Sequence, residues 1–347
     1  MSAATSTAPG CASSPSCPSN GPSPTPTPPV NWPSSTRRPC GGWSKPWPGR
    51  YCVPFKELLV ISGKGGTGKT SLAAALIELE LERASAPVVA CDADVDAANL
   101  ALLIDVEDGA GREFTGGSTA VIEPSRCTGC GACLEACRFS ALERIDNRVR
   151  VIETACEGCG VCRLVCPADA VELAPETAGI WWVGRGEDLT LVHAELGVAQ
   201  DNSGKLVARV RREARQLADD HEAELLIVDG PPGIGCPVHA ALTGVDLALV
   251  VTEPSPAGLH DLERALETTE HFERPAAVVI NKCDLAPAVS ERIAELCERR
   301  KAPLVARLPF DRRVPGELAR GRSPLAVPRF RELVDGLLTR LHSLLWD

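Results

Sequence analysis

Two cysteine runs carry the most chemistry in this sequence. The first is Cys127, Cys130, Cys133 and Cys137; the second is Cys156, Cys159, Cys162 and Cys166, followed directly by Pro167. Both have the spacing Cys-x2-Cys-x2-Cys-x3-Cys. Thiolate is a soft ligand suited to iron–sulfur clusters, and four cysteines complete one [4Fe–4S] cube. Cys-x2-Cys pairs also build zinc sites, but two complete four-Cys runs favour clusters.

A second chemistry lies upstream. Gly63-Lys64-Gly65-Gly66-Thr67-Gly68-Lys69-Thr70, followed by Ser71, has the spacing of a phosphate-binding loop. Its glycines let backbone N–H groups converge on phosphate oxygens, and the helix that follows adds partial positive charge. Lys69 is placed to contact the β- and γ-phosphates, and Thr70 to ligate Mg²⁺. Asp229 ends an apolar run just before Gly230-Pro231-Pro232-Gly233, where an acid would hold the same Mg²⁺.

These residues need a scaffold. Leu58–Ile61, Val88–Cys91, Leu225–Val228, Leu247–Val251 and Ala277–Ile280 are short apolar runs that read as buried strands. Helical spacing lies between most of them, as at Ser71–Arg83, Gly258–Phe272 and Val289–Arg300. The alternation predicts an α/β fold, a mostly parallel sheet covered by helices on both faces. The cysteine segment interrupts this series as a small α+β insert and repeats itself internally. The expected organisation is an extension over 1–54, a nucleotide-binding domain over 55–119 and 175–347, and the insert over 120–174.

From Phe55 to the C-terminus the chain resembles the MinD/ParA/Mrp P-loop ATPases, in a form that carries an inserted bacterial-type ferredoxin domain. Lys64, a second lysine early in the loop, is the mark of that family. The resemblance implies ATP sandwiched in a dimer, with Lys64 reaching the partner's nucleotide. The partner would be a second copy or a related ATPase. It also implies that Asp94 orients or activates the attacking water and that Asp92 supports Mg²⁺. Asn281 and Asp284 would read the base, and Leu308–Asp311 would close over it. Asn281-Lys282-Cys283-Asp284 also resembles the guanine-reading motif of GTPases, with GTP as the alternative, but the resemblance of the loop to an ATPase family favours ATP. In such ferredoxins the fourth Cys of each run ligates the other cluster. One cluster would then use Cys127, Cys130, Cys133 and Cys166, the other Cys137, Cys156, Cys159 and Cys162. Arg138 stands where the first run would usually have proline.

The net charge of −10 hides an asymmetry: residues 1–56 hold five Lys or Arg and no acid, leaving −15 on the rest. An acidic body argues against nucleic acid as a partner. Sixteen cysteines, half of them in cluster spacing, predict a reducing cytoplasm. No apolar run has the length of a membrane span. Residues 1 to about 52 are rich in Pro, Ser and Thr, which predicts disorder. Three of the six tryptophans and four cysteines outside any ligand spacing (Cys11, Cys17, Cys40, Cys52) fall there. A start at Val53 is an alternative reading of that segment. Cys236 reads as a small buried residue, with bridging between subunits as the alternative. Arg209, Arg211, Arg212 and Arg215 read as a solvated helix face, and His193 and His239 as structural. The apolar stripe Phe330–Leu345 is expected to pack on the sheet. Together the motifs predict an ATPase coupled to electron transfer or cluster delivery to an acceptor protein. A cluster carrier and a positioning ATPase are the competing classes.

Overall fold

The structure, a computed structural model, describes residues 55–197 and 203–347. The expectations for the N-terminal extension, its cysteines and Val53 lie outside these residues.

The chain opens with β1 (Lys56–Ser62), α1 (Lys69–Arg83) and β2 (Val88–Asp92). Next come β3 (Glu107–Asp108), β4 (Arg112–Ile122), α2 (Ala132–Ala136), β5 (Leu142–Ile145), β6 (Arg148–Val151) and α3 (Val161–Leu164). Then follow β7 (Val171–Arg185), β8 (Leu189–Leu196), α4 (Ser203–Asp220), β9 (Leu225–Pro232), α5 (Cys236–Leu242) and β10 (Leu247–Thr252). The chain closes with α6 (Pro256–His271), β11 (Ala276–Asn281), α7 (Pro287–Arg300), β12 (Leu304–Leu308), α8 (Arg313–Leu318) and α9 (Pro328–Trp346).

The main sheet has the order β12-β11-β10-β1-β9-β2-β8-β7-β3, with β4 also on β7. From β12 to β8 every neighbouring pair is parallel. Strand side chains alternate between faces, and β1 shows this directly. Leu59 and Ile61 pack in a core with α4, α5, α6 and α7. Leu58 and Val60 pack in a second core with α1 and α9. Both faces are therefore covered, as the apolar runs require. The C-terminal stripe lies in the second core, with Val334, Leu338 and Leu341 fully buried.

The cysteine segment joins the sheet through a long hairpin. β4 and β7 pair antiparallel from Arg112–Trp181 to Ile122–Val171, and β7 pairs antiparallel with β8. This hairpin runs through both expected domain boundaries, so the insert grows out of the sheet edge without a linker. β5 and β6 form a separate two-stranded sheet. The repeat is visible in the elements. Ile122 and Val151 end the strands before each Cys run, and Leu142 and Val171 begin the strands after them. The strands then pair across the repeats, β4 with β7 and β5 with β6.

Candidate functional site

The phosphate loop connects β1 to α1, with Gly68 at the helix N-cap. Lys69 is 5% exposed, and its Nζ lies 2.7 Å from Asp229 Oδ1 and 3.4 Å from Asp94 Oδ2. Thr70 Oγ1 is 3.4 Å from the same Nζ. Register does this: β2 and β9 are neighbours with Asp92 opposite Asp229, and β9 also flanks β1. Three carboxylates therefore meet at the C-terminal ends of adjacent strands, beside the loop.

Their electrostatics follow from burial. Desolvation pushes Asp229 and Asp94 up from the usual carboxylate range, and the Lys69 ammonium pulls both back. Asp92, buried and next to Asp229, is pushed up to about 7. Its oxygens accept backbone N–H groups from Asp94, Asn99 and Leu100 at 2.9–3.0 Å. Asp92 thus fixes the loop that carries Asp94, while Asp96 is exposed. Among the described residues, the buried side-chain N and O atoms without a partner are Thr67 Oγ1 and Asp229 Oδ2. Leaving such atoms unpaired costs about 1–3 kcal/mol each. Both belong to the nucleotide motifs, and a Mg²⁺ ion held through Thr70 and Asp229 would give the carboxylate oxygen a ligand. The residues present fit a Mg-nucleotide.

The base-side residues are tied to the loop. Asn281 Nδ2 donates to Thr67 O at 2.7 Å, and Lys282 Nζ donates to Gly66 O at 3.0 Å. Asp284 Oδ1 accepts from Phe310 N at 2.6 Å, which fastens the Leu308–Asp311 segment. Lys64 is bound to Glu253, with Nζ to Oε1 at 2.7 Å. Sequence reasoning did not single out Glu253 or Lys282 as interacting with the loop. No spacing signal marks Glu253, whose role depends on the adjacency of β1 and β10.

The eight cysteines of the two runs line two small cavities. Cys127, Cys130, Cys133 and Cys166 line one. Cys137, Cys156, Cys159 and Cys162 line the other. Each cavity takes its fourth thiol from the opposite repeat. Among the described residues, no three His, Cys, Asp or Glu side chains close up around a single metal ion. A zinc ion about 2.3 Å from each sulfur would need the thiols nearly in contact, whereas a cluster is held by thiols spread around it. Backbone groups face the sulfurs: Ala120 N–H donates to Cys156 Sγ at 3.5 Å and Ala170 N–H to Cys166 Sγ at 3.3 Å. Gly129 and Gly158, at equivalent points of the two runs, have φ of 69° and 60°. A Cβ there would come within 2.0 Å of Asn147 O or Ser118 O, so the turn and the close approach both require glycine. This set of thiols and N–H donors fits two [4Fe–4S] clusters.

Two expectations are corrected. Cys236 is exposed, at the first position of α5 beyond the Gly-Pro-Pro-Gly loop, because the short helix turns its N-terminus away from the core. The arginine-rich helix α4 is no plain solvated face. Arg211 is 3% exposed and pairs with buried Glu57, and it also donates to Ala240 O at 2.6 Å. Arg209 stacks on the Trp181 ring at 4.7 Å, and Arg112 lies over the same ring at 4.7 Å. Lys205 Nζ donates to Gly116 O at 3.1 Å. Helix α4 therefore touches both α5 and the β4–β7 hairpin. His193 is structural, its Nε2 2.8 Å from Asp108 Oδ1 and its ring stacked on Trp182.

Comparison with known proteins agrees with this geometry. The family model described as the CobQ/CobB/MinD/ParA nucleotide binding domain matches residues 58–325. The uncharacterised protein MJ0578 of Methanocaldococcus jannaschii is 37% identical over 234 residues, covering 67% of this chain and 80% of the relative. MJ0579 of the same organism, also uncharacterised, is 24% identical over 286 residues, covering 81% and 97%. Among solved structures, the septum site-determining protein MinD of Pyrococcus horikoshii, complexed with Mg-ADP, superposes with TM-score 0.50 at 17% identity, covering 84% of this chain and 97% of that one. A ParA family ATPase from Chlorobium tepidum also gives 0.50 at 17% identity, covering 82% and 99%. At such identities the likeness concerns the fold. Among the described residues, no helix is long and apolar enough to cross a membrane.

Proposed function

The chain belongs to the CobQ/CobB/MinD/ParA nucleotide-binding domain family, and from that premise we propose that it is an ATP-binding and ATP-hydrolysing iron–sulfur protein. In this reading, Mg-ATP closes a dimer, and closure is coupled to electron transfer or cluster delivery to an acceptor protein. The observation that carries the iron–sulfur half is the exchange of the fourth thiol between the two four-cysteine cavities. When bound, the clusters would supply one-electron chemistry. The chain's own residues do the rest. The loop N–H groups and Lys69 would hold the phosphates, Thr70 and Asp229 would hold Mg²⁺, and Asp94, on the loop that Asp92 fixes, would orient the attacking water. Asn281 and Asp284 would read the base.

Helix α4 supports the coupling. It packs on α5, which follows the Asp229-Gly230-Pro231-Pro232 segment, and it meets the cluster-bearing hairpin at Trp181 and Gly116. A shift of α5 on nucleotide binding would therefore be felt at that hairpin. Exposed Cys130 and Cys159 favour the cluster-carrier reading in one respect, since each leaves one edge of a site open to an acceptor.

EPR-monitored redox titration of anaerobically purified protein, with and without Mg-ATP, tests the proposal. A shift of ~100 mV or more, about 2.3 kcal/mol per electron, supports redox coupling. Unchanged potentials leave ATP as a switch for docking or cluster delivery. Absence of any cluster signal in iron-replete protein overturns the iron–sulfur reading.

A further inference from the structure

Lys64 is held inside its own protomer. Its Nζ is 2.7 Å from Glu253 Oε1 and 3.4 Å from Ser255 Oγ. The other carboxylate oxygen, Oε2, lies 3.0 Å from Lys282 Nζ, and that ammonium donates to Gly66 O of the phosphate loop at 3.0 Å. One carboxylate thus joins a lysine that belongs to the loop and a lysine that clamps it. Burial alone would raise the Glu253 pKa, but hydrogen bonds from the two ammoniums outweigh it and hold the carboxyl below its usual range.

We propose that Glu253 is a positioning residue that latches Lys64 in cis, and that Lys64 must leave it to reach the phosphates of a nucleotide bound to a second copy of this chain. The proposal rests on the dimer reading above and adds a competition to it. A lysine ammonium held at 2.7 Å by one carboxylate is withdrawn from any partner until more negative charge displaces it. Polyphosphate brings that charge.

The surroundings suit a latch that opens. The carboxylate follows the fully buried strand β10. Ser255, the second anchor, caps α6 by accepting Gly258 N–H at 2.9 Å, so the receiving point is rigid. Lys282 has a left-handed backbone, φ 55°, a conformation uncommon for a residue with a side chain. It stays on Glu253 when Lys64 departs, so opening does not strand a half-buried carboxylate without a counter-charge. Two latches open per dimer, and each one's effect enters the association constant.

The first test is amine footprinting of the full-length, nucleotide-free chain by acylation and mass spectrometry, comparing wild type with Glu253→Gln and using Lys56 as internal reference. Lys64 labelling is expected to rise several-fold in the variant, and equal labelling overturns the latch whatever the protein does with ATP. The second test is sedimentation velocity in Mg-AMPPNP. Dimerisation should tighten roughly tenfold in Glu253→Gln, two part-exposed ion pairs being removed, and Glu253→Gln should add nothing in a Lys64→Ala background. A wild type that dimerises with the same affinity as Glu253→Gln overturns the latch and leaves the dimer reading standing. If neither associates, the dimer reading falls and the latch falls with it. Glu253→Asp, which keeps the charge but withdraws it by one methylene, serves as the second variant should Glu253→Gln fold poorly, with the same directions expected.

Discussion

Lys69 Nζ and Asp229 Oδ1 lie 2.7 Å apart in a buried ion pair. The two charges neutralise each other inside the fold. On the proposed reading, in which Lys69 would hold phosphate and Asp229 Mg²⁺, binding of Mg-nucleotide would replace this pair with two others of the same sign pattern.

Lys69→Ala should therefore do more than abolish nucleotide binding. It leaves Asp229 buried without a counter-charge, which costs ~3–5 kcal/mol where one partner of a buried pair is removed. Denaturant unfolding without nucleotide should show that loss, and Asp229→Asn in the same background should recover part of it. Equal stability of Lys69→Ala and wild type would show that the pair carries no net energy.

Asp94 is held at the site by Asp92 through backbone N–H groups and by Lys69 at 3.4 Å. Asp94→Asn keeps the volume and loses the charge. ATP should still bind, while phosphate release slows by ~100-fold or more, the scale for a positioned acid or base. A normal release rate removes Asp94 from the catalytic assignment.

The exchanged thiols make a pattern that sequential ligation does not. Cys137→Ser and Cys156→Ser should damage the same cluster, so the double variant should lose no more iron than either single variant. Cys127→Ser with Cys137→Ser, which sequential ligation would put on one cluster, should strike both clusters. Iron and sulfide analysis with EPR of the reduced protein reads this. Additive losses for Cys137 and Cys156 would place them on different clusters.

The guanidiniums of Arg112 and Arg209 each lie 4.7 Å from the centroid of the Trp181 ring, where β4 and β7 meet helix α4. Trp181→Ala should leave ATP turnover within about twofold and shrink any ATP-dependent change in the cluster EPR signal. An undiminished change would mean that coupling travels by another route.

Cys297 is buried, and desolvation pushes its thiol up to about 11 from 9.0. Below pH 9 the thiol is neutral in both folded and unfolded chains. Between pH 9 and 11 only the unfolded chain ionises it, so stability falls as pH rises, by up to ~2–3 kcal/mol from this group. At pH 8, alkylation should reach exposed Cys236 and spare Cys297 until the protein unfolds. Peptide mapping after iodoacetamide treatment checks the order.

Much of this protein was legible in its sequence, because the signals are local. Five apolar runs became β1, β2, β9, β10 and β11, since a strand covered on both faces must be apolar throughout. The phosphate loop was legible because glycines and Lys69 sit in one short turn, and the two cysteine-lined cavities because each run keeps a fixed spacing. Strands β7 and β8 were not legible. β7 is part-exposed along much of its length, with polar and apolar residues mixed, and β8, though buried over its first six residues, interrupts its apolar run with Thr190 and His193. What only the tertiary structure decided are meetings across the sheet: Glu253 with Lys64, Asp92 opposite Asp229, Arg209 on Trp181, and Arg211 drawn inward to Glu57. Each joins residues distant in the chain through strand order and register, and these emerge from packing of the whole core rather than from any segment's own spacing.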